Sequence, residues 1–374
     1  MKITTTITFL LLTCVSFSQV SEFFFHNPNS TIFSAADQRS ASITHGDIDG
    51  DGDADVIIAN GRHWPDQNEI FLNDGASRFK IAYDLGKYRS TSYAAELADL
   101  DGDGDLDIAT GNDRAPNRLF FNDGKGHFTE KGTFGANNSN TRNLTLGDID
   151  GDGDIDILVC NRFFQNEICL NDGKGNFDEV VYFGEKDDAT LNIVLADLDK
   201  DGDLDLVLAN RNEQQNYIYF NNELDFSQKI PYGKGGDDTR TCAVADFNQD
   251  GFLDIVSGNI GGSNEIFFGD AENSFKKTSL TEVANERTAC LDVGDFDQDG
   301  DIDIVIGNAD QQNKLLINNG NGREFEVRTL SKRKDDTYDI QFADLNGDGY
   351  LEIMEANSDT RNYYYINDLG RKKK

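Results

Sequence analysis

The sequence predicts an all-β fold, a seven-bladed β-propeller of four-stranded antiparallel blades in which the N-terminal strand completes the last blade. Three observations lead there. A short aspartate-rich loop recurs at a fixed period, an apolar β-branched run follows each loop, and the two ends of the chain carry complementary halves of one repeat unit.

The loop comes first because the rest of each unit is placed around it. Its first place holds Asp47, Asp99, Asp148, Asp197, Asp246, Asp295 and Asp344, at intervals of 52 and then five times 49 residues. The third place holds Asp49, Asp101, Asp150, Asp199, Asn248, Asp297 and Asn346. The fifth holds Asp51, Asp103, Asp152, Asp201, Asp250, Asp299 and Asp348. The ninth holds Asp55, Asp107, Asp156, Asp205, Asp254, Asp303 and Glu352. A glycine stands at the sixth place in all seven copies, where a sharp reversal favours a residue without Cβ. Alternating oxygen donors around such a turn suit Ca2+, which takes six to eight oxygens on a flexible loop. About seven Ca2+ per chain are therefore expected. An EF-hand would need an acid at the twelfth place and a helix beyond it, whereas the third copy has Val159 there, after the apolar run Ile155 to Val159. The loop turns one strand into another.

Within the third copy, Asn143 to Gly147 reads as a first strand and Ile155 to Cys160 as a second, apolar enough to be covered on both faces. Ile168 and Leu170 mark a third. Asn171-Asp172-Gly173-Lys174-Gly175-Asn176 is a hairpin turn, and Phe177 to Phe183 a fourth strand. Four strands in about 49 residues is the arithmetic of a propeller blade. The seventh copy stops at Gly370, before any fourth strand. Phe23-Phe24-Phe25 and Thr31-Ile32-Phe33 supply the missing piece at the other end, with Phe33 standing 14 residues before Asp47 as Phe183 stands 14 before Asp197. Closing a circle this way leaves no bare sheet edge.

The Asp-x-Asp-x-Asp-Gly-x-x-Asp loops, the apolar strands and Asn-Asp-Gly-x-Gly-x-Phe resemble the FG-GAP/VCBS repeat, found in integrin α-subunit propellers and in secreted bacterial proteins. The likeness spans Phe23 to Gly370. It implies calcium in the hairpins between first and second strands, on one face of the propeller, and ligand binding on the opposite face. The Phe-Gly and Gly-Ala-Pro landmarks are weak, so the repeat is of the bacterial type and implies no integrin partner.

Composition agrees with an exported binding protein. Net charge is −34, from 68 acids against 34 bases, and 26 of those acids sit at the loop positions above. Seven divalent ions would offset fourteen of the charges; the remainder disfavours nucleic acid. Lys2, the apolar stretch Ile7 to Val15 and Ser16-Phe17-Ser18 form an expected signal peptide over residues 1–18, followed by the propeller over 19–374. The location expected is secreted, periplasmic or cell-surface, with no transmembrane segment. Thr13 before Cys14 makes a poor lipoprotein box. Cys160, Cys169, Cys242 and Cys290 read as small buried hydrophobes, with a Cys160–Cys169 bridge as the alternative.

Ten of sixteen arginines fall in the two loop classes that strand alternation places away from the aspartate loops. Of these, Arg62, Arg89, Arg114, Arg142, Arg162, Arg211, Arg240 and Arg287, with His63 and Trp64, form the candidate ligand face for an anionic or hydroxyl-rich glycan or an extracellular protein. Arg142, Arg240 and Arg287 directly precede first strands and are expected around the channel mouth, the others further out. The competing reading pairs these arginines with Asp113, Asp238, Asp336 and other loop acids as braces between blades. His45 occupies a position held by Leu, Val or Phe elsewhere and reads as a core substitute. His63 with Tyr88 and Arg89 would suit a polysaccharide lyase or hydrolase, but no GxSxG, HExxH or P-loop is present. A binding and adhesion module is the reading adopted, with the enzyme and a structural cell-surface scaffold as alternatives.

Overall fold

The computed structural model describes residues 24–25, 32–34, 36–280, 283 and 285–369. The predicted signal peptide and His26 lie outside these residues. Every sheet is antiparallel. Five four-stranded sheets are each built from consecutive strands; the third copy, for example, uses Thr141–Gly147, Asp156–Asn161, Asn166–Leu170 and Glu179–Phe183. The expected strands are all present, although the fourth starts two residues after Phe177, which is buried in the turn before it.

The first and last copies share one eight-stranded sheet. Gln38–Gly46 and the three strands after it form one half. Asp336–Ala343, Glu352–Thr360 and Tyr363–Asn367 form the other, and Phe24–Phe25 pairs alongside, with Phe24 opposite Asn367. The halves meet through short pairing of Gln38 and Arg39 with Thr360 and Ser358. First strands of successive copies lie side by side, and that of the seventh lies against that of the first. All seven second strands are buried, as their continuous apolar runs require, and the core lies between adjacent sheets. Leu158, Ile168 and Phe183 of the third copy, for instance, pack on Ile193, Leu206 and Phe226 of the fourth. The four described cysteines are free and buried within this packing.

Each first strand carries the same irregularity. Its register slips by one residue just after the hydroxyl residue near its start, between Thr141 and Asn143 in the third copy and at the matching place in the other six. Such a bulge leaves one residue unpaired and re-aims its side chain. The residues so released are Ala41, Tyr93, Arg142, Leu191, Arg240, Ala289 and Tyr338.

Polar side chains tie the sheets together at both ends. At one end a first-strand hydroxyl (Ser40, Ser92, Thr141, Thr190, Thr239, Thr288 or Thr337) donates at 2.7–3.3 Å to the asparagine that ends the second strand. That asparagine's N–H donates to the side-chain carbonyl of the asparagine opening the third strand. The latter's amide, from Asn68, Asn166, Asn216, Asn264, Asn313 or Asn362, then donates at 2.8–2.9 Å to the hydroxyl of the following copy; for Asn362 the acceptor is Ser40. At the aspartate end, the asparagine after each third strand donates to the second-place carbonyl of the preceding copy's loop. The pairs are Asn122 to Ile48, Asn171 to Leu100, Asn221 to Ile149, Asn318 to Phe247, Asn367 to Phe296, and Asn73 to Leu345. The fifth copy has Gly269 instead, where a Cβ would stand 2.3 Å from the Leu253 carbonyl. Lys200 spans that junction, donating to the Gly251 carbonyl at 2.6 Å.

Replacing Asn362 with Ala leaves the Asn357 N–H and one side of the Ser40 hydroxyl without partners, both buried. The expected loss is roughly 2–4 kcal/mol, since each buried unsatisfied group costs about 1–3 kcal/mol. It is read as a lowered denaturant midpoint at unchanged slope; an unchanged midpoint would refute the assigned role.

Candidate functional site

Six of the seven aspartate loops share one turn plan, from which Asp197 in the fourth departs. The first-place acid accepts N–H groups of the turn: Asp148 takes Gly151 at 2.8 Å and Gly153 at 3.0 Å. Gly153 sits at φ 97°, a conformation open to glycine but strained for any other residue. Carboxylate oxygens approach to within 4.8 Å of one another in five copies: Asp47, Asp49 and Asp55; Asp99, Asp101 and Asp107; Asp148, Asp150 and Asp152; Asp197, Asp199 and Asp205; Asp295, Asp297 and Asp299. In the fifth and seventh copies, where Asn248 and Asn346 take the third place, no such trio forms among the described residues.

The ninth-place acid does something the spacing alone did not reveal. It is buried in every copy, and its two oxygens accept the N–H of the second loop residue and that of the turn after the third strand. It therefore pins two turns while facing the cluster. Burial pushes Asp55, Asp107, Asp156, Asp205 and Asp254 up to about 6, Asp303 to about 7 and Glu352 to about 8, against the pull of the N–H donors. The clusters fit an oxygen-preferring cation. One oxygen each of Asp101, Asp197 and Asp297 is buried without a hydrogen-bond partner, and burial with neighbouring carboxylates raises Asp49, Asp101, Asp150 and Asp199. A bound cation removes both penalties.

At the other end the first strands surround a cavity of about 780 Å3. All seven bulged residues line it, together with Arg62, His63, Arg162 and Arg211 from the loops between second and third strands. The mouth thus collects five arginines from four copies. Arg62 pairs with Asp336 at 3.0 Å and lies over the Tyr338 ring at 3.6 Å; Arg142 pairs with Asp113 at 2.9 Å and lies over Tyr93 at 4.3 Å. Arg211 and Arg240 approach Asp238 at 3.7 and 3.4 Å. Arg162 lies over Phe163, 4.6 Å from its centroid. His63 reaches the Tyr93 hydroxyl at 3.2 Å, and burial, then Arg62 and Arg142, hold its imidazole below the usual range.

Four of the sequence candidates stand outside the cavity. Arg287 pairs with Asp310 at 3.1 Å and does not join Arg142 and Arg240, because it precedes its strand by one residue and so misses the bulge that turns them inward. Arg89 faces Asp66 at 3.8 Å, Arg114 bonds Asn140, and Trp64 is 65% exposed beyond the rim. Tyr88 is 69% exposed and not part of the His63 pair, where Tyr93 stands instead. Deeper in the cavity lie Glu96, Asp292, Asp339, Asn143, Asn192 and Gln341, none of which was singled out from sequence. Their only signal was polarity within a strand that should be innermost. Asp292 and Asp339 each accept an N–H from the neighbouring first strand, Phe342 at 2.8 Å and Ile43 at 2.9 Å, while Glu96 accepts from the Thr44 hydroxyl at 3.2 Å.

The FG-GAP-like repeat profile matches residues 47–110, 99–159, 197–257, 246–306 and 295–354, which is most of the chain. The chain belongs to this repeat family. Among solved structures, FG-GAP-like repeats fold here as β-propellers do. The WD40 β-propeller domain of Doa1 superposes with TM-score 0.61 at 12% identity, over 90% of this chain and 96% of that one. BBS1N in complex with ARL6DN, soaked with mercury, gives 0.60 at 10% identity over 92% and 96%. The same complex soaked with lead gives 0.59 at 10% identity over the same shares. These likenesses carry the fold alone. No curated protein matches the sequence. No helix among the described residues is long and apolar enough to cross a membrane.

Burial and the nearby Asp339 charge push Glu96 up to about 8. Unfolding returns it to 4.5, so between these values the unfolded chain binds fewer protons and stability falls as pH rises. Glu96→Gln should raise the melting temperature by roughly 1–3 °C at pH ~9 and leave it unchanged at pH ~4. An equal effect at both pH values would contradict the assignment.

Proposed function

We propose that this protein is an exported, calcium-loaded binding module whose arginine-bearing end holds an anionic or hydroxyl-rich ligand, with a glycan as the leading class. The observation that carries the reading is the separation of charge. Carboxylate clusters gather at one end of the propeller, and five arginines from four copies converge on a cavity at the other. The blade count is taken as seven and the ring as closed. The Asn362–Ser40 and Asn73–Leu345 bonds and the pairing of Phe24–Phe25 beside Tyr363–Asn367 support closure, and the Asn362 variant tests it. Protein ligands are the alternative within this reading, since BBS1N carries ARL6DN in its complex.

Calcium is assigned to the aspartate loops on donor chemistry, with all seven copies as sites; in the fifth and seventh, Asn248 and Asn346 supply an amide oxygen in place of a carboxylate. Each site that binds the native state alone stabilises it by about 2.7 kcal/mol at a hundredfold excess over Kd. Metal analysis of the purified protein should give close to seven Ca2+ per chain, and EDTA should lower the melting temperature by at least ~10 °C. Two ions or fewer, or indifference to EDTA, rejects the assignment.

The ligand face is tested by Arg162→Ser, Arg211→Ser and Arg240→Ser combined. A glycan array in calcium buffer should show anionic glycans retained by the wild type and lost by the triple variant, because charge-assisted contacts contribute about 1.5–3 kcal/mol each. Unchanged retention, with calcium content intact, rejects the reading. A second reading is favoured by one contact: His63 against Tyr93, among arginines that could neutralise a uronate, suits a lyase. New unsaturated uronate ends after incubation with acidic polysaccharide would establish it; their absence leaves the binding module.

A further inference from the structure

The arginines at the mouth are of two kinds. Arg62 and Arg142 are braced, each by a carboxylate about 3 Å away and a tyrosine ring beneath the guanidinium. Arg162, Arg211 and Arg240 come from the third, fourth and fifth copies and are not. Arg162 has no ion pair among the described residues, and the other two divide the single carboxylate of Asp238. The Nε of all three is buried without a hydrogen-bond acceptor, as is that of Arg62, so what sets the three apart is the missing close carboxylate. Burial and mutual repulsion hold Arg162 below the usual guanidinium range and bring Arg211 to about 10. Buried Nε–H donors without acceptors, next to like charges, are costly unless an oxyanion completes them.

Deeper in, the wall changes from guanidinium donors to carboxyl and amide groups. Glu96, Asp292 and Asp339 line the cavity with Asn143, Asn192 and Gln341, and no lysine or arginine pairs with these acids among the described residues. Such a wall offers oxygen acceptors to hydroxyls and no cation to a second anion. Arg142 and Arg240 stand at the second position of the first strand and Glu96 and Asp292 at the fifth. Three residues of strand rise separate them, about 10 Å. Leu97, Leu146, Val244 and Val293 also line the cavity and give its wall an apolar belt. The volume of about 780 Å3 suits a mono- or disaccharide and leaves no room for a polymer lying along it.

Building on the anion-binding reading above, we infer that the cavity takes the terminal unit of its ligand. That unit is one singly anionic, polyhydroxylated residue, a uronate or a sugar sulfate. Its oxyanion lies against Arg162, Arg211 and Arg240, and its hydroxyls donate to the acceptor wall beneath. An internal stretch of a polyanion would present repeated charges to a site with one positive patch and a floor of carboxyl and amide groups that offers no second cation.

The test is calorimetric titration of the calcium-loaded protein with glucuronate, glucose 6-sulfate, unsubstituted glucose, and uronate and sulfated tetrasaccharides. At least one anionic monosaccharide should bind, glucose should bind at least tenfold more weakly, and the tetrasaccharide ending in the same unit should bind within threefold of its monomer. Arg162→Ser with Arg240→Ser should lower affinity at least thirtyfold at unchanged calcium content and melting temperature. If that variant fails to fold, Arg162→Lys replaces it, with an expected loss of about tenfold. Affinity that rises more than tenfold from monomer to tetramer, or tetramers that bind where no monomer does, overturns the terminal-unit inference and leaves the anion-binding reading standing. Absence of binding by every anionic probe overturns both.

Discussion

A buried hydroxyl held between two asparagines from neighbouring sheets is the contact on which this structure depends. Thr190 gives its proton to Asn210 and receives one from Asn166, so its oxygen is satisfied only when both sheets are in place. The Asn210 N–H is satisfied in turn by Asn216, whose amide reaches Thr239 of the next copy. Apolar packing between sheets is non-directional and would tolerate sliding. These bonds do not. They set the angle at which each sheet meets the next, and they make every sheet's polar accounting contingent on its neighbour.

The aspartate end uses its acids in the same double way. A ninth-place carboxylate that pins two turns is needed for the fold whether or not a cation is present, and its position then fixes where the remaining loop oxygens converge. Folding and metal binding are thereby written into one side chain. The arginine end separates the two duties. Arg62 and Arg142 brace adjacent sheets through Asp336 and Asp113, whereas Arg211 and Arg240 share Asp238 at longer distances and Arg162 has no ion pair among the described residues.

Much of this was legible in the sequence. Fixed spacing of the loops and the apolar second strands gave the repeat and its strands, because both are set by local chemistry: a glycine turn, and burial on two faces. The segregation of arginines into two loop classes was also visible. Which of them converge was not, because that depends on a bulge. Arg240 and Arg287 look alike as residues near the start of a first strand, yet one occupies the unpaired position and the other precedes the strand by a residue. The asparagine relay was hidden for a different reason. Asparagine at a strand end reads as turn punctuation, and only the partner across the sheet boundary shows that it is a joint.

Gly269 leaves the junction between the fourth and fifth copies without the asparagine tie found at the other junctions, and Lys200 reaches across it from an exposed loop. That junction is a seam, one directional tie short at the aspartate end, as the junction between the second and third copies is at the other end, where the Asn117 amide has no partner. Arg211 and Arg240 stand on either side of that seam, at the opposite end from Gly269. A ligand that engages both arginines would act as a clasp. It would join the fourth and fifth sheets at the arginine end and make good there the tie that the aspartate end lacks.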